Sequence, residues 1–334
     1  MSGSRTLAAL PAWPRLPGVG LGLAALGGLA LIWLLAGFGA GQWQAPDWHD
    51  PIVRQLRLPR IANALLVGAA LAMSGAALQA LFRNPLADPG LIGTSSGAAM
   101  GVIGVIALGI GGLSVPLAAF GGGLAVTALI LLLNRLLQGG QAGLLIIGVV
   151  VGACCGAMVS LLLFLSDDLT LRGAMSWLSG SLAEARFAEH GYVLPVMALG
   201  AAILLLVARD LDCLLLGDDT ARSLGVNVGR TRTLTAVGAA LLAGGAVTLS
   251  GIIGFVGMMV PNAIALLGGG TRRQLMLWSA WVGALFLLLI DTLGRELAYP
   301  VDLPAGVMAA FAGPVFFLWL FRRLQGGRHA RPRL

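Results

Sequence analysis

The sequence predicts an all-α polytopic membrane protein with about ten transmembrane helices, and three observations carry that prediction. Its 334 residues are 58% hydrophobic and 10% charged, whereas a soluble domain carries about 25% charge. Apolar runs of the roughly 20 residues needed to cross a bilayer recur along the whole chain. Each run is continuous, unlike the alternating segments of about ten residues that mark a β-barrel.

The expected spans are 18–40, 58–82, 91–111, 114–134, 142–166, 190–208, 231–249, 255–269, 277–297 and 306–322. The first is too long and glycine-rich for a cleaved signal and lacks a convincing cleavage site, so it reads as a retained helix. The second follows Arg54 and Arg57, holds Arg60 near its start and closes at "RNPLADPG" (83–90). The third opens with the small-residue run "GTSSGAAMG" (93–101), which permits close helix packing. In the fifth, the adjacent Cys154 and Cys155 read as small packing residues. With Cys213 they offer neither a disulfide framework nor metal spacing. His49, His190 and His329 fall in loops or the tail, so no metal cluster is expected.

The interruption at 83–90 has a physical logic. Proline removes a backbone donor and ends a helix, and in lipid the freed groups must be buried in protein or face a cavity. Asn84 can bond those groups beside Pro85, and Asp88 can cap a helix starting near Pro89-Gly90.

Orientation follows from arginine, because the chain has no lysine. With both termini inside, the inner segments hold Arg5, Arg15, Arg83, Arg135, Arg209, Arg222, Arg230, Arg232, Arg272, Arg273, Arg322, Arg323, Arg328, Arg331 and Arg333. The outer segments hold only Arg54, Arg57, Arg60, Arg172, Arg186 and Arg295. That bias is the positive-inside rule, so the net charge of +7 reflects topology and no nucleic-acid partner is expected.

The missing lysine also excludes a P-loop, whose Lys must reach the β- and γ-phosphates. If ATP drives this chain, another subunit hydrolyses it. Ion-coupled carriers keep several acids inside their helices, and here Asp291, with Glu296 near the span's end, stands without such a relay. Asp291 and Arg295, four apart on one face, are expected to pair.

"LAMSGAALQALFRNPLADP" (71–89) is faintly echoed by "VTLSGIIGFVGMMVPNAIA" (247–265). Each has Ser-Gly (Ser74-Gly75 and Ser250-Gly251) and then a proline, Pro85 or Pro261. The echo is either an internal repeat of the kind transporters carry or a coincidence among Gly- and Ala-rich helices. A second polar interruption, "RDLDCLLLGDDTARSLGVNVGRTR" (209–232), predicts a short helix N-capped by Asp218 or Asp219 and closed by a left-handed Gly225. A solvated loop would not need Leu214, Leu215, Leu216 and Leu224, so the segment reads as a docking element for a cytosolic partner.

Taken with these features, "RLPRIANALLVGAALAMSGAALQALFRNPLADPGLIGTSSGAAMG" (57–101) closely resembles the membrane subunit of type II ABC importers for iron chelates, haem and vitamin B12. "WLSGSL" (177–182), "GDDTARSLGVNVGR" (217–230), "SGIIGFVGMMVP" (250–261), "IDTLGREL" (290–297) and "FFLWLFRR" (316–323) follow in that family's order. The resemblance implies a homodimer with ten helices per subunit in the type II importer fold, two weakly related halves and a path at the dimer axis. It implies one permease domain over 1–334, spanning from 18 to 322, with a coupling segment at 209–232 and a basic cytoplasmic tail at 323–334. Its partners would be two cytosolic ATPase subunits, a periplasmic haem-binding protein and membrane lipid, in a bacterial inner membrane. The chain itself would have no catalytic residue and no permanently bound cofactor or metal, with ATP and Mg used by the ATPase.

By that resemblance, 217–229 sits in a groove of the ATPase, with Ala221, Leu224 and Gly225 as contact surface and Asp218, Asp219 and Arg222 around them. Arg57, Arg60 and Arg295, joined by Arg54, would meet carboxylates of the binding protein, which a planar guanidinium holds bidentately. Arg57 and Arg60 have the alternative of anchoring the helix start at the interface. Asn84, Pro85, Ser95, Ser96, Gly97, Pro261 and Asn262 are the gate or pathway candidates, with simple packing equally open for 95–97.

The chain departs from the family pattern at Asn262 and Ala265, where many members have His and Arg, so a gate relying on that Arg fails here. "LADPGLIGTSSGA" looks most like the haem-importing branch, and haem is the expected cargo, with a ferric siderophore or cobalamin as alternatives. An ion-coupled carrier or a membrane scaffold are the rivals from other classes.

Overall fold

The computed structural model describes residues 18–39, 41–110, 112–268 and 270–329. Arg5, Arg15, Arg331 and Arg333 lie outside the described residues, as do the end of the 323–334 tail and the side chains of Arg323 and Arg328. Every expected span has its helix: α1 Gly18–Ala36, α2 Leu58–Phe82, α3 Thr94–Ala107, α4 Val115–Leu136, α5 Gly140–Phe164, α7 His190–Leu206, α10 Val228–Ser250, α11 Val256–Leu267, α12 Arg272–Leu297 and α13 Ala305–His329. The type II importer fold is all-α apart from one small hairpin, β1 Phe38–Gly39 antiparallel to β2 Gln42–Trp43.

Three short helices lie between the spans: α6 Asp168–Leu178, α8 Ala208–Leu214 and α9 Asp218–Ser223. α6 has no counterpart among the expected spans, because Asp168 and Arg172 break its apolar content. Its start is nonetheless specified, since Asp167 caps it by accepting from the Thr170 N–H at 2.8 Å. A π-helical turn, Val53–Arg57, leads into α2 and extends that helix to 30 residues.

The most hydrophobic helices are not the central ones. In its most apolar window, α2 is 83% buried, against 22% for α5, so α2 is the core of the bundle and α5 faces outward. Alanine and glycine make this possible. A Cβ on Gly68 would run into the backbone of Gly283 in α12, and one on Gly75 into the Gly257 carbonyl of α11. With no side chain between them, the helices approach until their backbones touch, which is how association is stabilised where water supplies no driving force.

Some buried hydroxyls bond within their own helix, while Thr127 bonds across to Thr94 and to the Ile92 carbonyl. Thr248 and Ser250 donate to the carbonyls of Gly244 and Ala246, four residues back, at 2.7 and 2.9 Å. The two echoed segments pack on each other but differ locally. Ser74-Gly75 lies inside α2, whereas Ser250-Gly251 ends α10. Pro85 lies in the turn after α2, whereas Pro261 is inside α11.

Gly75→Ala is expected to force α2 from α11 and lower stability by about 1–3 kcal/mol, the usual cost of overpacking. Gly104→Ala, within α3 where a Cβ meets nothing within 4 Å, is expected to keep stability or raise it by up to about 1 kcal/mol. Thermal unfolding of the two variants in detergent compares them.

Candidate functional site

The two interruptions of the apolar pattern meet at one end of the bundle. After Phe82 the chain turns through Arg83, whose φ of 48° is left-handed. The Asn84 N–H returns to the Gln79 carbonyl at 3.1 Å, and the Asn84 side chain accepts from the Leu86 N–H at 2.9 Å. Asp88 accepts from the Gly90 N–H at 2.9 Å and caps a 3-10 turn, Pro89–Ile92, that leads into α3. Asn84 and Asp88 thus take up the local backbone bonding expected of them.

Pro261 is satisfied from α2. Lacking an N–H, it leaves the Gly257 carbonyl without its helical donor. Gln79 supplies one from across the interface, donating to Gly257 at 3.4 Å and Met258 at 3.1 Å. Asn262 donates to the Met258 carbonyl at 2.8 Å and to the Pro85 carbonyl at 2.7 Å, so it ties α11 to the turn after α2. Gln79 is not among the residues expected from sequence, although an amide in the middle of an apolar helix is a signal for such a role.

The segment 208–232 is strapped to this end by its aspartates. Asp210 accepts from Thr231 at 3.2 Å, and Asp212 accepts from the Arg272 N–H at the start of α12 at 3.0 Å. Asp218 holds Arg83 on one carboxylate oxygen and Arg232 on the other, while Arg83 also donates to the Leu214 carbonyl at 2.9 Å. The short helix α9 is therefore clamped between α2 and α10, the two most buried long helices.

Two expectations for this helix need correction. The N-cap is Gly217, with φ 113° and no side-chain cap, so Asp218 and Asp219 are first-turn residues. Asp218 is drawn into its arginine pair instead. Ala221 is fully buried beneath α9 and is not contact surface. The exposed face includes Asp219, Thr220, Arg222, Ser223, Leu224 and Gly225, extended by Leu216. Gly225 has the expected left-handed φ of 86°. The Val226 N–H reaches Ala221 at 3.0 Å and the Gly225 N–H reaches Arg222 at 2.9 Å, a Schellman closure.

At the opposite end, the expected Asp291–Arg295 pair is absent. Asp291 accepts from Arg60 at 2.7 and 2.9 Å, and Asp302 takes the same guanidinium at 2.6 and 2.9 Å. Sequence separation hid this pair, since the partners lie on α2 and α12. Arg295 turns to the hairpin instead, donating to Phe38 at 2.9 Å and to Glu296 at 3.1 Å. Arg57 donates to the Ala36 carbonyl at 3.3 Å. Of the four rim arginines, Arg54 is the exposed one, and Arg60 has its fork occupied within the chain.

Ser95 and Ser96 are half-buried, and Ser96 donates to the Gly93 carbonyl at 3.1 Å. Gly97 is packed against Gly122 and Val126 of α4.

Residues 26–323 match the model of the FecCD transport family. The chain is 43% identical over 286 residues to the hemin transport system permease protein HmuU of Yersinia pestis, covering 83% of this chain and 84% of that one. It is 40% identical over 283 residues to the cobalamin import system permease protein BtuC of Halobacterium salinarum, covering 84% and 76%. A solved inward-facing metal-chelate type ABC transporter superposes with a TM-score of 0.82 at 31% identity, covering 93% of this chain and 100% of the other.

Arg60→Ala leaves the buried Asp291 carboxylate without its counter-charge and is expected to cost about 3–5 kcal/mol, whereas Arg54→Ala stays within about 0.5 kcal/mol; detergent thermal unfolding reads both. Burial pushes the Asp218 carboxyl up, but its bonds to Arg83 and Arg232 and their charges outweigh this and hold it below the ordinary 3.8. A depressed pKa contributes stability above the unfolded value, and that contribution disappears as pH falls through the folded one. Asp218→Asn is therefore expected to lower stability equally from pH 5 to 8, with the difference from wild type closing only in acid below about 3.8. Unfolding midpoints across pH test this, with Asp219→Asn as the silent control.

Proposed function

Since this chain belongs to the FecCD transport family and is a permease of an ABC importer, we propose that it carries haem inward across the bacterial inner membrane by alternating access. The observation that carries the haem assignment is the 43% identity to a hemin permease over most of both chains. The wording "LADPGLIGTSSGA" supports it. Cobalamin is the second reading, because a cobalamin permease is 40% identical over a similar length. Members of such families are transport subunits, and ATP hydrolysis belongs to separate subunits of the importer.

In this reading the permease is a homodimer with a single permease domain in each chain, and the end carrying 83–90 and 208–232 faces the cytoplasm. The arginine distribution supports that orientation. Leu216, Leu224, Asp219 and Arg222 enter the ATPase groove. Movement of α9 reaches α2 and α10 through Asp218, and α11 through Asn262 and Pro85. The small residues at 95–97 line or flank the path. At the outer rim, Arg54 and Arg57 meet carboxylates of a periplasmic binding protein, with Arg295 beside the hairpin. Arg60 would join them only by releasing Asp302.

Uptake in proteoliposomes containing this chain, its ATPase and the loaded binding protein tests the assignment. ATP-dependent accumulation of haem, with none of cobalamin, is expected. Cobalamin uptake alone replaces the cargo, and uptake without an ATPase, driven by an ion gradient, removes the whole reading. Leu224→Asp puts a charge into the proposed groove contact and is expected to cut uptake at least about tenfold without changing the unfolding temperature of the permease.

A further inference from the structure

At the end of the bundle away from the 83–90 turn lies a cavity of about 580 Å³ that none of these roles uses. It is formed by one chain and partly open, between α2, the end of α3, the start of α4, α6 with the segment after it, and the end of α10.

Its walls are electronegative from several independent sources. The C-terminal turns of α3, α6 and α10 reach it through Ile106, Trp177 and Ser250, and aligned peptide dipoles place partial negative charge at a helix C-terminus. The start of α4 contributes Val115 and Pro116, of which Pro116 has no N–H to offer an anion, and Arg186 and Glu189 stand at the turn that leads into α7. Asn63 lines the cavity and is 1% exposed. Its Nδ2 donates to the Leu249 carbonyl at 3.3 Å, which orients the amide and leaves Oδ1 as a buried acceptor with no partner. Such an acceptor costs free energy unless a donor reaches it. Glu184 and Glu189 stand on the lining against a single cation, Arg186. Trp177 adds an aromatic surface that favours a cation over its face.

These features select among cations. Among the described residues, no group of three or more His, Cys, Asp or Glu is placed to hold a metal ion. The volume greatly exceeds that of a bare monovalent ion, and the unpaired Asn63 oxygen calls for an N–H donor. We propose that this cavity binds a primary ammonium group, carried either by an ethanolamine lipid headgroup or by a free small amine. Arg186 then faces the anionic group that a zwitterionic headgroup brings beside its ammonium.

The test uses the full-length permease in nanodiscs of phosphatidylglycerol, titrated with ethanolamine, with tetramethylammonium at equal ionic strength as the control lacking N–H donors. Tryptophan fluorescence and unfolding temperature are followed together. A saturable response to ethanolamine alone is expected, with the apparent Kd raised about tenfold in a Glu184→Gln/Glu189→Gln variant. Asn63→Leu should abolish the response, and the rim variant keeps the test decisive should that buried change prevent folding. Repeating the titration in phosphatidylethanolamine nanodiscs separates the sources. A lipid headgroup fills the site beforehand and removes the response, whereas a free amine leaves the titration unchanged. No saturable response in phosphatidylglycerol, an equal response to tetramethylammonium, or a response indifferent to the Gln variant overturns the proposal.

Discussion

In an apolar surround every backbone polar group must find its partner inside the protein, and the architecture of this permease depends on how that is met where helices are interrupted. Pro261 withdraws one donor from α11, and Gln79 of α2 replaces it. Asn262 then bonds both its own helix and the turn at Pro85. The two interruptions are thus one structure, in which α2 completes α11 and α11 holds the end of α2. A break that would be costly on a lipid-facing helix becomes a specific joint between two buried ones.

The same economy governs the charges. Few are present, and most of those near the helix ends are spent on holding elements together: Arg60 on Asp291 and Asp302, Asp218 on Arg83 and Arg232. A guanidinium with two carboxylates, or a carboxylate with two guanidiniums, satisfies more of its hydrogen-bonding capacity than a simple pair, which is what makes a partly buried charge tolerable. The consequence for transport is mechanical. The short helix α9 has an exposed outer face and is tied through Asp218 to the two central helices, which is the linkage the proposed coupling would use.

Much of this was legible in the sequence. A helix at each of the ten expected spans followed from continuous apolar runs, and among the described residues six of these helices are long and apolar enough to cross a bilayer while four are shorter. The turn at 83–90 and the left-handed Gly225 followed from local chemistry, since proline, asparagine and glycine act on their own backbone. Family membership was carried by motifs quoted in order along the chain. Short α6 was missed because its helical signal is a cap and an amphipathic face instead of an apolar run.

What the tertiary structure decided is where each side chain points and which distant residue it meets. Asp291 had Arg295 four residues away as a natural partner, yet it takes Arg60, 231 residues distant in sequence. Asp218 was suited to capping and instead joins α2 to α10, and Ala221 was suited to a contact surface and instead lies under its helix. Local propensity offers each residue several acceptable partners within a turn of helix. Only the packing of α2 against α10, α11 and α12 removes all but one, because the alternatives leave a charge or a carbonyl buried and unpaired.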